Sequence, residues 1–312
     1  MKTPTNEHYP SPNWPLTSDH WPIKTFMERE LIRWLRERLP PHPLLRLGLG
    51  DDAAVLDMAG APSCVLTVDM LTDGVDFKLE EIDARRAGRK ALAVNLSDLA
   101  AMAARPLAGV VALCLPRKNG LQLAVALYEG MLPLAEKYGL IIAGGDTNSW
   151  DGPAVICATL LGAATERGPL SRGGARPGDR IIVTGSFGGS ILGRHLDFEP
   201  RVSEALKLNA DYRLRAGMDV SDGLSLDLAR LAEESGVGAA LNLNRVPVAD
   251  DARHLAQRAA DGSTPLDHAL SDGEDFELIL AVEPDVARRL LADRPLDVPL
   301  TDVGEFIAEP GL

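Results

Sequence analysis

An apolar run that leads to aspartate recurs along this chain, and the recurrence constrains the fold more than any other feature. Such runs lead to Asp51 and Asp52, to Asp69 at the end of CVLTVD (64–69), to Asp146 after LIIAGG (140–145), and to Asp219 with Asp222 just beyond it. The runs belong in a core, because burial removes apolar surface from water. A single aspartate in a turn is ordinarily a helix cap or an Asx turn. Several of them at the ends of buried segments bring carboxylates together at one polar boundary of the core. Asp98 joins the set from an Ala- and Leu-rich helix, three residues after Asn95 and on the same face. Ionised carboxylates are hard, acceptor-only ligands suited to Mg2+. A cleft crowded with them needs divalent cations to offset the repulsion.

Composition removes several classes of function. The chain has 45 acidic and 32 basic side chains, a formal charge of −13, and only 4% aromatic residues. A nucleic-acid or anionic-membrane surface needs a basic footprint, and single-stranded bases need aromatic platforms. Anionic substrates stay compatible with this charge where cations bridge them to carboxylates. No apolar stretch approaches the ~20 residues of a membrane-spanning helix. The N-terminal MKTPTNEHYPSPNWP lacks the apolar centre of a secretory signal. Cys64, Cys114 and Cys157 each sit in an apolar run and are expected to be reduced and buried, and no Cys/His pair has zinc-site spacing. Together these features point to the cytoplasm.

At about 150 residues per domain, a chain of 312 residues is expected to form two domains. Residues 1–22 hold five prolines and no periodicity, the pattern of a flexible arm. Thr25 and Glu28 form a capping box that opens a helix to Leu39, stopped by Pro40 and Pro41. The pattern then predicts a strand over 64–69 and a long helix from Asp83 to about Ala104. A strand from Val110, a helix from about Leu121 to Tyr138, and strands at LIIA and Ala154–Leu161 follow. After the RPGD turn (176–179) come a strand Arg180–Thr184, a helix from about Leu224 to Glu234, a strand near Ala239–Leu243 and a helix near Asp251–Ala260. A strand Phe276–Val282, a helix after Pro284 and a strand near Val303–Ile307 complete the chain. Strands and helices mix without strict βαβ alternation, which favours an α+β architecture over a doubly wound sheet. The Gly/Arg/Pro-rich stretch at 164–176 divides residues 23–165 from 166–312.

Some familiar motifs fail on inspection. GLGDDA (48–53) spells G-x-G-x-x-A, but two aspartates fill the phosphate position and no helix pattern follows. No P-loop is present, and DVSDG (219–223) lacks the glycine spacing of an EF-hand. Glycines flank the aspartates at Gly144 and Gly145 and recur at Gly185, Gly188 and Gly189, as a phosphate-binding backbone or as ordinary tight turns. Arg172 is a candidate phosphate partner.

On these residues the sequence resembles the thiamine-monophosphate kinase family, within the superfamily that also contains aminoimidazole ribonucleotide synthetase, selenophosphate synthetase and a hydrogenase maturation protein. The matching stretches are GDDAAVL (50–56), TVDMLTDGVDF (67–77), KALAVNLSDLAAM (90–102), GGDT (144–147), LSRGGARPGD (170–179), VTG (183–185), MDVSDGL (218–224) and SDGEDFEL (271–278). The resemblance implies an N-terminal α+β domain whose strands join a partner subunit's in a barrel-like homodimer core, and a C-terminal α+β domain. ATP and several Mg2+ ions would lie in the cleft between them. It implies Asp52, Asp69, Asp98, Asp146, Asp219 and Asp222 as Mg2+ ligands, assisted by Thr67 and the Val68 carbonyl. Gly145, Asp146, Arg172 and Ser221 would contact the nucleotide, and Asp76 and Glu274 the acceptor.

The implied reaction is transfer of the ATP γ-phosphoryl group to thiamine monophosphate. That acceptor's phosphate has its second pKa near ~6, so it is already ionised at neutral pH and needs no general base. This suits a chain with six histidines and no Ser-His or Cys-His set. Asp76, Asp197 and Asp272 depart from the residues usual in the family, and the sequence ends at Leu312 without the tail whose aromatic often covers the acceptor. The nucleotide and metal motifs are thus intact while the acceptor pocket is altered. Asp76 is an acceptor contact or a solvated loop residue. The alternatives to the kinase are a paralogue with another phosphorylated acceptor, or a non-catalytic nucleotide or metal sensor.

Overall fold

A computed structural model describes residues 45–47, 51–57, 63–258 and 262–312. The expected N-terminal arm and the helix from Thr25 to Leu39 lie outside the described residues. The first sheet contains β1 (Leu45–Leu47), β2 (Ala54–Leu56), β3 (Cys64–Thr72), β4 (Ala104–Pro116), β5 (Ile141–Trp150) and β6 (Val155–Ala164), in the order β1-β2-β3-β6-β4-β5. Only β4 and β5 run parallel. They are joined by α2 (Gly120–Lys137), the crossover that a parallel pair needs. Helix α1 (Ala84–Ala101) precedes β4, and Asp83 caps it by accepting the Arg85 N–H. Its side chains are buried along nearly its whole length, as befits a core helix.

Strand alternation gives this sheet two unlike faces. Val65, Leu71, Val111, Leu113, Ile156 and Leu160 pack with Leu92, Leu96 and Leu99 of α1 and Leu127 and Met131 of α2 in one core. The opposite face carries Leu66, Val68, Met70 and Val110, all exposed. The three cysteines lie on that outer side and are half-buried and free, where the sequence pattern had them buried.

The second sheet is wholly antiparallel, in the order β8-β10-β7-β11-β9, from β7 (Arg180–Thr184), β8 (Leu214–Asp219), β9 (Gly238–Leu241), β10 (Leu278–Val282) and β11 (Leu300–Ile307). Its helices are α3 (Arg194–Asp197), α4 (Val202–Asp211), α5 (Leu224–Ser235), α6 (Asp250–Arg258), α7 (Pro265–Ser271) and α8 (Pro284–Asp293). Strand β10 shows why its sequence, LILAV, is apolar throughout. Ile279 and Ala281 pack with Leu224, Leu228 and Leu231 of α5, while Leu278, Leu280 and Val282 join the core that contains Leu208 and Leu290. A strand buried on both faces has no need of a polar alternate. The architecture is α+β.

Several expected boundaries shift, and two of the shifts are large. The strand that starts at Ile141 does not stop at Gly144 but continues to Trp150, because β4 runs to Pro116 and supplies backbone partners along its full length. Strand β4 itself starts at Ala104, so the preceding helix ends at Ala101. Helices α3, α4 and α7 and strands β1, β2 and β8 have no counterpart among the elements expected from the sequence.

Candidate active site

Three carboxylates reach one point from three elements. Asp52 lies in the bend before β2, Asp98 on α1 and Asp219 at the end of β8, and one oxygen of each lies within 4.8 Å of the others. Helix α1 serves the cluster twice, since Ser97 Oγ donates to Asp219 Oδ2 at 2.5 Å. Thr67, on the inner face of β3, donates its hydroxyl to Asp98 Oδ2. Burial is the largest influence holding Asp98 well above the usual carboxylate range, and repulsion from Asp69, Asp219 and Asp52 adds to it. Asp219 is raised in the same way, by burial and then by Asp52, against the Ser97 hydrogen bond.

One cation enters the cluster from the chain itself. Arg172 Nε and Nη2 clasp the two oxygens of Asp52 at 2.9 and 2.8 Å, and the Arg172 N–H donates to Asp51 at 3.0 Å. Asp51 is pushed up to about 6, first by burial and then by its neighbour Asp52. The turn after β8 carries Ser221 and Asp222 and is organised by Asp227 of α5. One Asp227 oxygen accepts the N–H groups of Ser221, Asp222 and Gly223 at 3.0, 2.8 and 3.1 Å. Arg230 bridges Asp222 and Asp227. Burial lifts Asp227 to about 7, helped by Asp222 and opposed by Arg230.

The donor set fits Mg2+. All three ligands are carboxylate oxygens, and Mg2+ takes oxygens at about 2.0–2.1 Å, so ligands on one ion lie about 2.9 Å apart when adjacent and about 4.2 Å apart when opposite. The three oxygens lie within 4.8 Å of one another, so modest side-chain adjustment can bring them onto one ion.

The other expected residues fall in two groups. Asp69 shares β3 with Thr67 and lies near enough to Asp98 to raise it. Val68 lies between them with its side chain on the outer face. Gly145 and Asp146 are instead exposed on β5, with β6 and β4 between them and β3. Three strand spacings of about 4.8 Å put them about 14 Å from Asp69, so Asp146 and Asp69 do not share an ion within one subunit. Asp76 and Glu274 do come together: Lys90 Nζ bonds the Asp76 carbonyl at 2.8 Å and both Glu274 oxygens at 2.7 and 2.9 Å.

Gly185, Gly188 and Gly189 resolve to the tight-turn alternative at its second half. Gly188 N–H donates to both oxygens of Asp275 at 3.0 Å, and Gly189 N–H to Asp272 at 2.8 Å, so those groups are committed to carboxylates. A Cβ on Gly189 would sit 2.3 Å from the Asp251 backbone carbon. Asp272 also pairs with His268, and Asp197 with Arg86. Lys90, Ser97, Asp227 and Arg230 were missed from the sequence. Two had a signal, a lone lysine inside the run KALAVNL and an aspartate between the buried Leu224 and Leu228.

Comparison with known proteins fits this arrangement. The family model described as AIR synthase related protein, N-terminal domain, matches residues 50–164, and the C-terminal domain model matches 176–312. The chain is 45% identical over 293 residues to the thiamine-monophosphate kinase of Rhodopirellula baltica, covering 92% of this chain and 91% of that one. It is 33% identical to that of Bacillus subtilis, covering 89% and 90%. Among solved structures, "AaThiL complexed with AMPPCP and TMP" superimposes with a TM-score of 0.78 at 26% identity over 92% of each chain. The thiamine-monophosphate kinase of Stenotrophomonas maltophilia K279a gives 0.70 at 33% identity, covering 90% of this chain and 93% of that one.

Proposed function

The chain belongs to the thiamine-monophosphate kinase family, and from that membership we propose that it transfers the γ-phosphoryl group of ATP to the phosphate of thiamine monophosphate. A phosphate oxygen of the acceptor forms a bond to the γ-phosphorus as the bond to the β,γ-bridging oxygen breaks, giving thiamine diphosphate and ADP. The observation that carries this is the meeting of Asp52, Asp98 and Asp219 within 4.8 Å beside the half-buried Arg172.

The chemistry asks little of the protein in covalent terms. The acceptor is ionised at neutral pH, with its second pKa near ~6. The barrier is the approach of two polyanions, so positioning and charge compensation carry catalysis. We assign Mg2+ to Asp52, Asp69, Asp98, Asp219 and Asp222, with Thr67 and the Val68 carbonyl assisting. When bound, Mg2+ offsets phosphate charge and aligns the in-line attack. Arg172 and Ser221 hold the nucleotide, the former with planar donors matched to a phosphate. Gly145 and Asp146 are kept as nucleotide contacts, with Asp146 serving an ion separate from the one at Asp69. Asp76 and Glu274 face the acceptor.

We also propose a homodimer and a cytoplasmic location. The exposed apolar outer face of β3 and β4 supports the first, since a surface of that kind is normally covered. Three free cysteines suit a reducing compartment. Among the described residues no helix is long and apolar enough to cross a membrane.

The test is to incubate the purified protein with ATP, Mg2+ and thiamine monophosphate and to follow both products by chromatography, with Asp219→Asn in parallel. Thiamine diphosphate and ADP in equal amounts, lost in the variant, are expected. Nucleotide binding with no thiamine diphosphate would overturn the assignment in favour of another acceptor.

A further inference from the structure

The ammonium of Lys90 takes no part in the transfer just described, yet it is one of the most completely buried groups in the protein. Lys90 lies in the middle of α1 with no exposed side-chain surface. Its Nζ has three N–H donors, and they meet three acceptors: both oxygens of Glu274 and the main-chain carbonyl of Asp76. These contacts tie α1 to the loop after β3 and to the segment that leads into β10.

That segment is held in an unfavourable backbone conformation. Glu274 has φ +53° and Phe276 has φ +52°, both left-handed. Residues with a Cβ avoid this region unless surrounding contacts impose it. Here the imposing contacts are Glu274 N–H to the Ser221 carbonyl at 2.7 Å and Phe276 N–H to the Val220 carbonyl at 2.8 Å. The nucleotide turn and the Glu274 segment are therefore one unit. The Glu274 side chain is 23% exposed, so it opens to solvent on one side while Lys90 closes the other.

Stability alone does not account for the pair. A buried ion pair gains little over well-packed apolar side chains, because both charges lose their hydration. A carboxylate has about four lone-pair sites, and Lys90 takes one on each oxygen. The remaining sites can accept a hydrogen bond from a ligand in a direction that Lys90 fixes.

We propose that Lys90 is a positioning residue for the phosphate acceptor, fixing the Glu274 carboxylate and the Asp76 loop as one wall of the acceptor pocket. The chemistry this wall suits is a hydrogen-bond donor or a positive charge on the acceptor, met by the open side of the Glu274 carboxylate. The proposal rests on the assigned reaction, in which Asp76 and Glu274 face the acceptor.

The test is a double-mutant cycle in the full chain, with KM measured separately for ATP and for thiamine monophosphate. Lys90→Arg keeps the charge and changes its geometry, and Lys90→Met removes the charge; thermal unfolding checks that each is folded. The acceptor KM is expected to rise by about tenfold or more in Lys90→Met and by a smaller factor in Lys90→Arg, while the ATP KM stays within about twofold. In a Glu274→Gln background Lys90→Arg should add nothing to the acceptor KM, because Lys90 acts through Glu274. Should Lys90→Met fail to fold, Lys90→Arg with and without Glu274→Gln decides the matter. Equal rises in both KM values, an unchanged acceptor KM, or an undiminished Lys90→Arg effect beside Glu274→Gln would overturn the proposal. A wild-type protein that does not phosphorylate thiamine monophosphate would instead overturn the assigned reaction, and this proposal with it.

Discussion

Individual carboxylates carry the largest physical tension in this protein, and it has a sign that can be measured. Asp98 and Asp219 are raised well above 3.8 by burial and mutual repulsion, Asp51 to about 6 and Asp227 to about 7. Each binds a proton more readily in the folded protein than in the unfolded chain. Between about pH 4 and 7 the folded state thus holds more protons, and stability falls as pH rises. Thermal unfolding without Mg2+ should therefore give a higher Tm at pH 5 than at pH 8. Mg2+ should narrow or reverse the difference, since it binds the deprotonated ligands and releases their protons. A metal-free Tm that climbs across this range would show that the cluster is not strained as described. The same crowding was legible in the sequence as aspartates at the ends of apolar runs. The partners that manage it were less so, because Ser97 and Arg230 are ordinary helix residues until the second sheet brings Asp219 and Asp222 to them.

Elements place these residues, and the tightest joint among them is the crossing of α1 and α2. A Cβ on Gly88 would lie 2.0 Å from the Leu127 carbonyl oxygen, and one on Gly130 would lie 1.8 Å from the Arg85 carbonyl oxygen. Both obstacles are backbone, so the helices must part to admit a methyl group. Gly88→Ala and Gly130→Ala should each cost about 3 kcal/mol or more, the upper end for overpacking, read as a lower midpoint in urea. Gly88→Ala should also depress activity, because α1 carries Ser97 and Asp98. A substitution tolerated within about 0.5 kcal/mol would mean that the crossing is looser than this. Helix α1 could be read from its cap and its Ala/Leu pattern, and β10 from its continuous apolar run. The extension of β5 through GGDT could not, since glycine and aspartate disfavour strands and only the length of β4 draws them in. Helix α4 escaped although Val202, Ala205, Leu206 and Leu208 are spaced for one helical face, which packs against the core.

At the scale of the molecule, helix α1 lies against strands of two unlike sheets, and the carboxylates gather beside it. In the second sheet β10 is buried on both faces, while the first sheet leaves Leu66, Val68, Met70 and Val110 exposed. The proposed homodimer rests on that asymmetry. Light scattering at micromolar concentration should give twice the mass of the 33.4 kDa chain, and Val110→Asp should shift it toward monomer by placing a charge in the apolar contact. A monomeric wild type would remove the dimer from the account. Charge balance speaks at the same scale, for a chain of net −13 with clustered carboxylates favours cations as intermediaries between itself and phosphates. We propose that this cleft works by placing two phosphates in line, with no residue of the chain taking the phosphoryl group. The most direct test is the stereochemical course of transfer from ATP made chiral at the γ-phosphorus to thiamine monophosphate. Inversion at phosphorus is the predicted result, as one in-line displacement requires. Net retention would reveal two displacements, hence a phosphorylated enzyme, and would contradict it.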